Sequence, residues 1–228
     1  MFESWYESPW HNPAFFWLTG VLFLAWWMRR QPFLTGFFAL FTVEILADAL
    51  ATGGWSPLSL LKSPASTPVA IAFVILGDFR YFLLTERYAV RPEAKPRDAT
   101  AGKAWATSIG LSFIVPVLAA ITGRLVPAKY GEGRWAFLTY EVIFLALSLA
   151  LRFVVYPRRL AGTSTPVKQW LRRVTTFEVV QYALWASADV LIFAGLDAGF
   201  ALRFLPNAMY YVAFLPFVAL TAPREAEG

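Results

Sequence analysis

Seven runs along the chain are almost wholly apolar and approach the ~20 helical residues that a hydrocarbon core demands. They cover roughly 13–29, 33–51, 68–86, 105–123, 135–156, 175–195 and 200–221, with the polar residues gathered between them. Trp5, Trp10, Trp17, Trp26, Trp27, Trp55, Trp105 and Trp135 mostly fall near the ends of these runs, where an amphipathic ring is favoured at headgroup depth. The pattern predicts an all-α, polytopic membrane protein with seven transmembrane helices. The gaps at 87–104 and 157–174 are too short to fold separately, so residues 1–228 read as a single transmembrane domain. The segment 53–64, "GGWSPLSLLKSP", is bounded by Gly and Pro and too short to cross, and it predicts an interfacial half-helix.

Composition agrees: the chain is 58% hydrophobic, 18% aromatic and only 15% charged, far from the mixture of a soluble domain. Its net charge of +5 takes on meaning once the basic residues are sorted by loop. Thirteen of the twenty fall in loops 29–32, 87–104 and 157–174 or in the C-terminal tail, whereas Lys62, Arg124, Lys129 and Arg134 fall on the other side. Cytoplasmic loops retain Lys and Arg, so the N-terminus is expected outside and the C-terminus in the cytoplasm, as in a multi-pass protein of a bacterial inner (plasma) membrane. Topology and attraction to anionic headgroups account for the basic loops, and no nucleic-acid partner is expected. The opening "MFESWYES" is acidic and no small-residue cleavage site follows, so the first run is expected to be retained.

Cysteine is absent and His11 is the single histidine, which removes thiol nucleophiles, disulfides, Fe–S clusters and Cys/His zinc sites. No metal site is expected, and the sequence leaves the cofactor, including a bound pigment or lipid, unknown. The five lysines, Lys62, Lys95, Lys103, Lys129 and Lys168, are all placed in loops by this reading. Covalent retinal, which needs a lysine inside a span, is therefore excluded.

Spans 1 to 3 and 5 to 7 share short matches. "ADAL" at 47–50 answers "ADVL" at 188–191, "GDFRYF" at 77–82 answers "PNAMYY" at 206–211, and Arg29–Arg30 answers Arg158–Arg159. All fall in register with a three-plus-one-plus-three parallel repeat in which span 4 is the inverting linker. In this layout, and at Asp78 and Asn207, the chain resembles the SWEET and PQ-loop group of seven-helix transporters. That resemblance implies a substrate site flanked by Asp78 in span 3 and by Asn207, of a "PN" dipeptide, in span 7.

Charges inside the spans carry the remaining information, because each costs roughly 2.5 kcal/mol or more at the bilayer centre. Arg152 and Glu178 lie near the cytoplasmic ends of consecutive spans, and Asp189 and Arg203 in the outer parts of the next two. Both couples predict structural ion pairs. Set aside those four, and Glu44, Asp48, Asp78 and Glu141 face only Arg80. A desolvated carboxylate takes up a proton or needs a cation. Glu44 and Asp48 share a helix face; Glu178, Gln181, Tyr182, Trp185 and Asp189 recur at three- and four-residue steps, as do Arg203, Asn207, Tyr210 and Tyr211. These stripes predict an acidic, water-filled cavity lined by Asp78, Asn207, Glu44, Asp48, Glu141, Tyr81, Tyr210 and Gln181. Asp78 and Arg80, about 200° apart around a helix, cannot point into the same space. Arg80 is expected to extend toward headgroups or to pair with an acid on another span.

The function expected from these features is a small integral membrane transporter or a cation- or proton-linked channel. Its partners would be the lipid bilayer and a small polar molecule or cation, with oligomerisation left open. Two alternatives share the topology: a seven-helix ligand sensor or membrane-complex subunit, and an intramembrane aspartyl enzyme. For the latter, "LGDF" at 76–79 resembles part of the GxGD sequence of presenilin-type proteases, whose two aspartates share a proton; Asp48 would be the second. No catalytic residue is assigned with the transporter reading.

Overall fold

The computed structural model describes residues 1–8, 32–52, 66–89, 97–125 and 133–226. The first expected span, 13–29, and the half-helix at 53–64 lie outside the described residues. A short helix α1, Phe2–Tyr6, is followed by α2, Pro32–Thr52, α3, Ser66–Ala89, and α4, Arg97–Leu125. Helix α5, Gly133–Ala150, runs on through a π turn, Leu151–Val155, into Tyr156–Arg159. Helix α6 is Thr165–Phe193, and α7, Ala198–Ala208, continues through a second π turn, Met209–Ala213, into Phe214–Thr221. Among the described residues all regular structure is helical, and Gly102–Leu125, Arg134–Arg159 and Ala198–Thr221 are long and apolar enough to cross a membrane.

Helix α4 carries a surface pattern compatible with a membrane. Ala104, Ser108, Ser112 and Val115 are buried, while Ile109, Phe113, Val117 and Ile121 are exposed. Small and hydroxyl residues thus face protein and large apolar ones face out, the reverse of a soluble helix and the usual arrangement between membrane helices. The serine hydroxyls donate to carbonyls one turn back, Ser108 to Ala104 and Ser112 to Ser108, each at 2.7 Å. Their polar groups are therefore satisfied without water.

Both π turns have a local cause in proline. A proline ring clashes with the carbonyl four residues earlier and cannot donate to it. For Pro157 that carbonyl belongs to Phe153, and for Pro216 to Val212, so each lies inside a π turn. The wider turn relieves the clash without ending the helix.

The chain divides into two compact units, Ile75–Ala186, and Met1–Val74 with Ser187–Gly228. Within the first, the stretch of α3 from Gly77 to Glu86 is buried around its whole circumference. Its neighbours offer matching stripes: Glu141, Phe144, Ser148 and Leu151 of α5, and Val167, Trp170, Val174, Glu178 and Gln181 of α6. In the second unit Leu34, Phe37, Phe38, Phe41 and Ile45 form the buried face of α2, and Glu44 and Asp48 continue that face. A Schellman turn joins α6 to α7: Leu196 N donates to Leu191 O at 3.0 Å and Gly195 N to Ile192 O at 2.9 Å. Gly195 takes φ +76°, a conformation other residues rarely adopt.

The helices outrun the expected spans. Helices α4 and α6 each have 29 residues, about 44 Å of helix against a core of about 30 Å. The expected loop 157–174 shrinks to a turn between Arg159 and Thr165, and two lysines placed in loops are helical instead. Lys103 is exposed in the first turn of the candidate span Gly102–Leu125, and Lys168 donates to Ala161 O at 2.7 Å. Hydropathy missed this because a helix does not stop where polar side chains begin; Arg172 and Arg173 are simply its solvated continuation.

Candidate functional site

In the unit Ile75–Ala186 the organising group is Asp78, 2% exposed. Tyr182 of α6 donates to its Oδ1 at 2.6 Å, and Tyr140 of α5 donates to its Oδ2. Two helices thus each lend one hydroxyl to one carboxyl oxygen. The Tyr182 ring stacks on Phe144 with centroids 3.9 Å apart, which fixes the direction of that hydroxyl.

A second carboxylate, Glu178, stands one turn before Tyr182 on α6 and is within electrostatic reach of Asp78, as is Arg80. Arg80 is 1% exposed and acts on Glu178 also. Arg80 is therefore buried in the protein, where its charge acts on both acids. Gln181, beside Tyr182, is fully buried, and neither its Oε1 nor its Nε2 has a hydrogen-bond partner. A buried amide left so costs on the order of 1–3 kcal/mol.

Hydroxyl groups continue from this cluster toward the C-terminal end of α3. Tyr81 lies within electrostatic reach of Glu178 and donates to Thr175 Oγ1 at 3.2 Å. Its hydroxyl is also bonded to that of Tyr156, which meets Thr85 Oγ1 at 2.8 Å. Beyond lies an ion pair that sequence reasoning missed: Arg159 Nη1 and Nη2 donate to Glu86 Oε1 and Oε2 at 2.7 and 2.5 Å. Glu86 is fully buried, whereas the Arg159 side chain is 33% exposed.

The other unit holds a separate polar cluster. Arg203 Nη1 donates to Asp189 Oδ1, and Arg203 Nε donates to the Tyr6 hydroxyl at 3.1 Å. Asn207 Nδ2 reaches the same hydroxyl at 3.4 Å. Tyr211 is hydrogen-bonded to Asp48 with Glu44 close by, and Tyr210 donates to Phe73 O at 3.3 Å. On the loop before α7, Asp197 accepts from Phe2 N at 2.9 Å, Glu3 N at 2.8 Å and the Met1 ammonium at 3.0 Å. Those backbone donors at the start of α1, with the ammonium, hold its carboxyl well below the usual range, at about 2.

The expected site residues are therefore distributed over both units. Asp78, Tyr81, Gln181 and the buried Glu141 belong to Ile75–Ala186; Glu44, Asp48, Asn207 and Tyr210 belong to the other. Asp189 and Arg203 are in contact, but Arg152 and Glu178 are not: Arg152 Nη1 donates to Arg172 O at 2.8 Å and lies over Phe153, while Glu178 has Arg80. The reason is the π turn Leu151–Val155 carrying Arg152, since one residue more in a turn shifts azimuth by about 100°. Tyr140, Tyr156, Thr85, Thr175 and Tyr6 were not singled out in sequence. Thr175, three residues before Glu178, and Thr85, seven after Asp78, carry the signal of helical spacing from an acid, whereas Tyr140 and Tyr156 carry none. No group of three or more His, Asp or Glu side chains suited to a metal ion occurs among the described residues.

Fold and site together define an all-helical protein with apolar, membrane-length helices and a buried acid–tyrosine cluster. Comparison with protein-family models, with curated proteins and with solved structures gives no match, so the geometry alone carries the functional reading.

Proposed function

We propose that this chain is a small multi-pass transport protein of a bacterial inner membrane, with seven spans, an outer N-terminus and a cytoplasmic C-terminus. A proton or small cation is held and released at Asp78 and Glu178. The observation that carries this reading is the pairing of those two buried carboxyl groups on facing helices within reach of each other, with Arg80 the cation that acts on both. Two acids and one base in a low-dielectric interior leave one negative charge to be met by a proton or a cation. Gln181, with a free donor and a free acceptor, supplies the contact that a small polar cargo needs. In the parallel-repeat plan Asp78 and Asn207 are equivalent positions, which places the titratable group in one half and its neutral counterpart in the other.

Purified protein reconstituted in liposomes loaded with a pH-sensitive dye tests the proposal. An imposed pH gradient with valinomycin to clear charge is expected to collapse faster than in protein-free vesicles, or faster once external sodium or potassium is added. Decay equal to that of empty liposomes under every ion condition would remove the transport reading.

A further inference from the structure

Resting on the reading above, we propose that Tyr81 and Tyr156 form a proton relay joining the Asp78–Glu178 cluster to the Glu86–Arg159 ion pair. The positions on α3 make this possible. Asp78, Tyr81, Thr85 and Glu86 follow one another at steps of three, four and one residues. They cover about 12 Å of helix, close to half a hydrocarbon core. Every member of the file is buried except Arg159, where the file meets the outside.

Threonines hold the two tyrosines in place. Thr175 Oγ1 donates to Leu171 O at 2.8 Å, and Thr85 Oγ1 donates to Tyr81 O at 3.0 Å and Phe82 O at 3.1 Å. Each threonine proton is thereby committed to backbone, and each oxygen is offered to a tyrosine: Thr175 to Tyr81, Thr85 to Tyr156. Such an arrangement fixes where the phenol oxygens sit while leaving their O–H bonds free to turn between threonine and the neighbouring phenol. At one end Glu178 is the group within reach of Asp78, Tyr81 and Tyr182 alike. At the other, both Glu86 and Arg159 act on Tyr156.

Transfer conserves protons at every step. A proton from Asp78 passes to Glu178, and Glu178 gives one to the Tyr81 oxygen as the Tyr81 O–H proton moves to the Tyr156 oxygen. The Tyr156 proton moves to Glu86, whose hold on Arg159 weakens, and water beside the exposed guanidinium takes it up. Hydroxyl rotation then restores the file. The other groups facing Asp78 are Tyr140 of α5, Tyr182 of α6 and Arg80 of α3. The two tyrosines fix the carboxyl group, and the arginine compensates charge on Glu178.

Infrared spectroscopy of the detergent-solubilised protein after a rapid pH jump reads the relay directly, whether or not transport is measured. The carboxyl band that disappears in Asp78→Asn identifies Asp78, and its rate of change is followed in wild type, Tyr81→Phe, Tyr156→Phe and, as a control, Tyr88→Phe, a buried tyrosine of α3 outside the file. Removing either relay hydroxyl is expected to slow the response ~100-fold, as for loss of a positioned proton carrier, with the Tyr88→Phe rate unchanged and every variant still folded at the temperature of the jump. A second readout covers a relay variant that folds poorly: Thr85→Val leaves both phenols but releases Tyr156, and an intermediate slowing is expected. Wild-type rates in both relay variants overturn the proposal, as does an Asp78 band that never responds to pH while the protein stays folded. If the relay variants keep wild-type rates but Asp78→Asn abolishes proton flux in liposomes, the transport reading stands and the relay alone falls.

Discussion

Tyr182 gives its hydroxyl to Asp78 Oδ1 across 2.6 Å while its ring lies on Phe144, the planes only 20° from parallel. Stacking removes the freedom that a phenol otherwise has to swing away, so the bond costs little further ordering. Tyr182→Phe keeps the stack and leaves one buried carboxyl oxygen with one donor fewer. Stability is expected to fall by about 1–3 kcal/mol. Phe144→Leu is expected to weaken the same bond indirectly, so the double variant should lose less than the sum of the single losses, with a coupling of about 0.5 kcal/mol or more. Reversible unfolding in detergent, followed for all three variants, checks both numbers; strict additivity would mean that the ring does not aim the hydroxyl.

The Asp189–Arg203 pair gives a second outcome. Its side chains are 0% and 13% exposed, so removing one charge strands the other. Asp189→Asn or Arg203→Gln alone is expected to cost about 3–5 kcal/mol and lower folded yield, with much of it recovered in the double change. Fluorescence-detected size exclusion of the four forms measures the yields. The Arg203 single change also releases Tyr6, and faster proteolysis within residues 1–8 is the accompanying sign.

Much of this architecture was legible in the apolar runs: six of the seven lie within or largely overlap a described helix. Run ends were not legible, because Arg97, Lys103, Lys168, Arg172 and Arg173 extend helices past the point at which hydropathy falls. Acids such as Asp78 and Glu178 were visible since charge in an apolar run needs a reason. Their partners were harder to see. A tyrosine in a membrane helix reads equally well as an interfacial anchor, so Tyr140 and Tyr156 carried no distinguishing mark. The direction of Arg152 was not legible either, because the π turn set it.

Gly199 tests the closeness of α7 to the end of α6. A Cβ there would stand 2.7 Å from Ala188 O, 2.7 Å from Ile192 Cγ1 and 2.8 Å from Ile192 N. Two of these are backbone atoms and cannot yield, so Gly199→Ala is expected to destabilise by about 1–3 kcal/mol. Gly110 has nothing within 4 Å of its would-be Cβ. Gly110→Ala should instead stabilise α4 by about 0.5–1 kcal/mol. Melting temperatures moving in opposite directions are the expected result.

Asp197 sets a pH dependence at the start of α7. Its carboxyl is held at about 2 by the Phe2 and Glu3 amides and the Met1 ammonium, below the ordinary value of ~3.9. A depressed acid contributes its stabilisation fully above the ordinary value and loses it as pH falls through the folded one. Docking of α1 is therefore expected to persist down to about pH 4 and to fail progressively toward pH 2. The 19F signal of fluorotryptophan at Trp5, which packs on Phe204 at 4.3 Å, reports it. Asp197→Ala should show the undocked signal at every pH, and a wild-type signal in that variant would place the docking elsewhere.

The central claim is that Asp78 carries the moving charge. Proton flux into dye-loaded liposomes, compared between wild type, Asp78→Asn and Asp189→Asn with Arg203→Gln, tests it most directly. The amide keeps the acceptor facing the tyrosines but gives up the exchangeable carboxyl proton. Flux is expected to fall to the protein-free rate in Asp78→Asn and to remain in the neutralised Asp189–Arg203 double variant at matched folded yield. Wild-type flux in Asp78→Asn would contradict the account and leave the buried carboxyl a structural one.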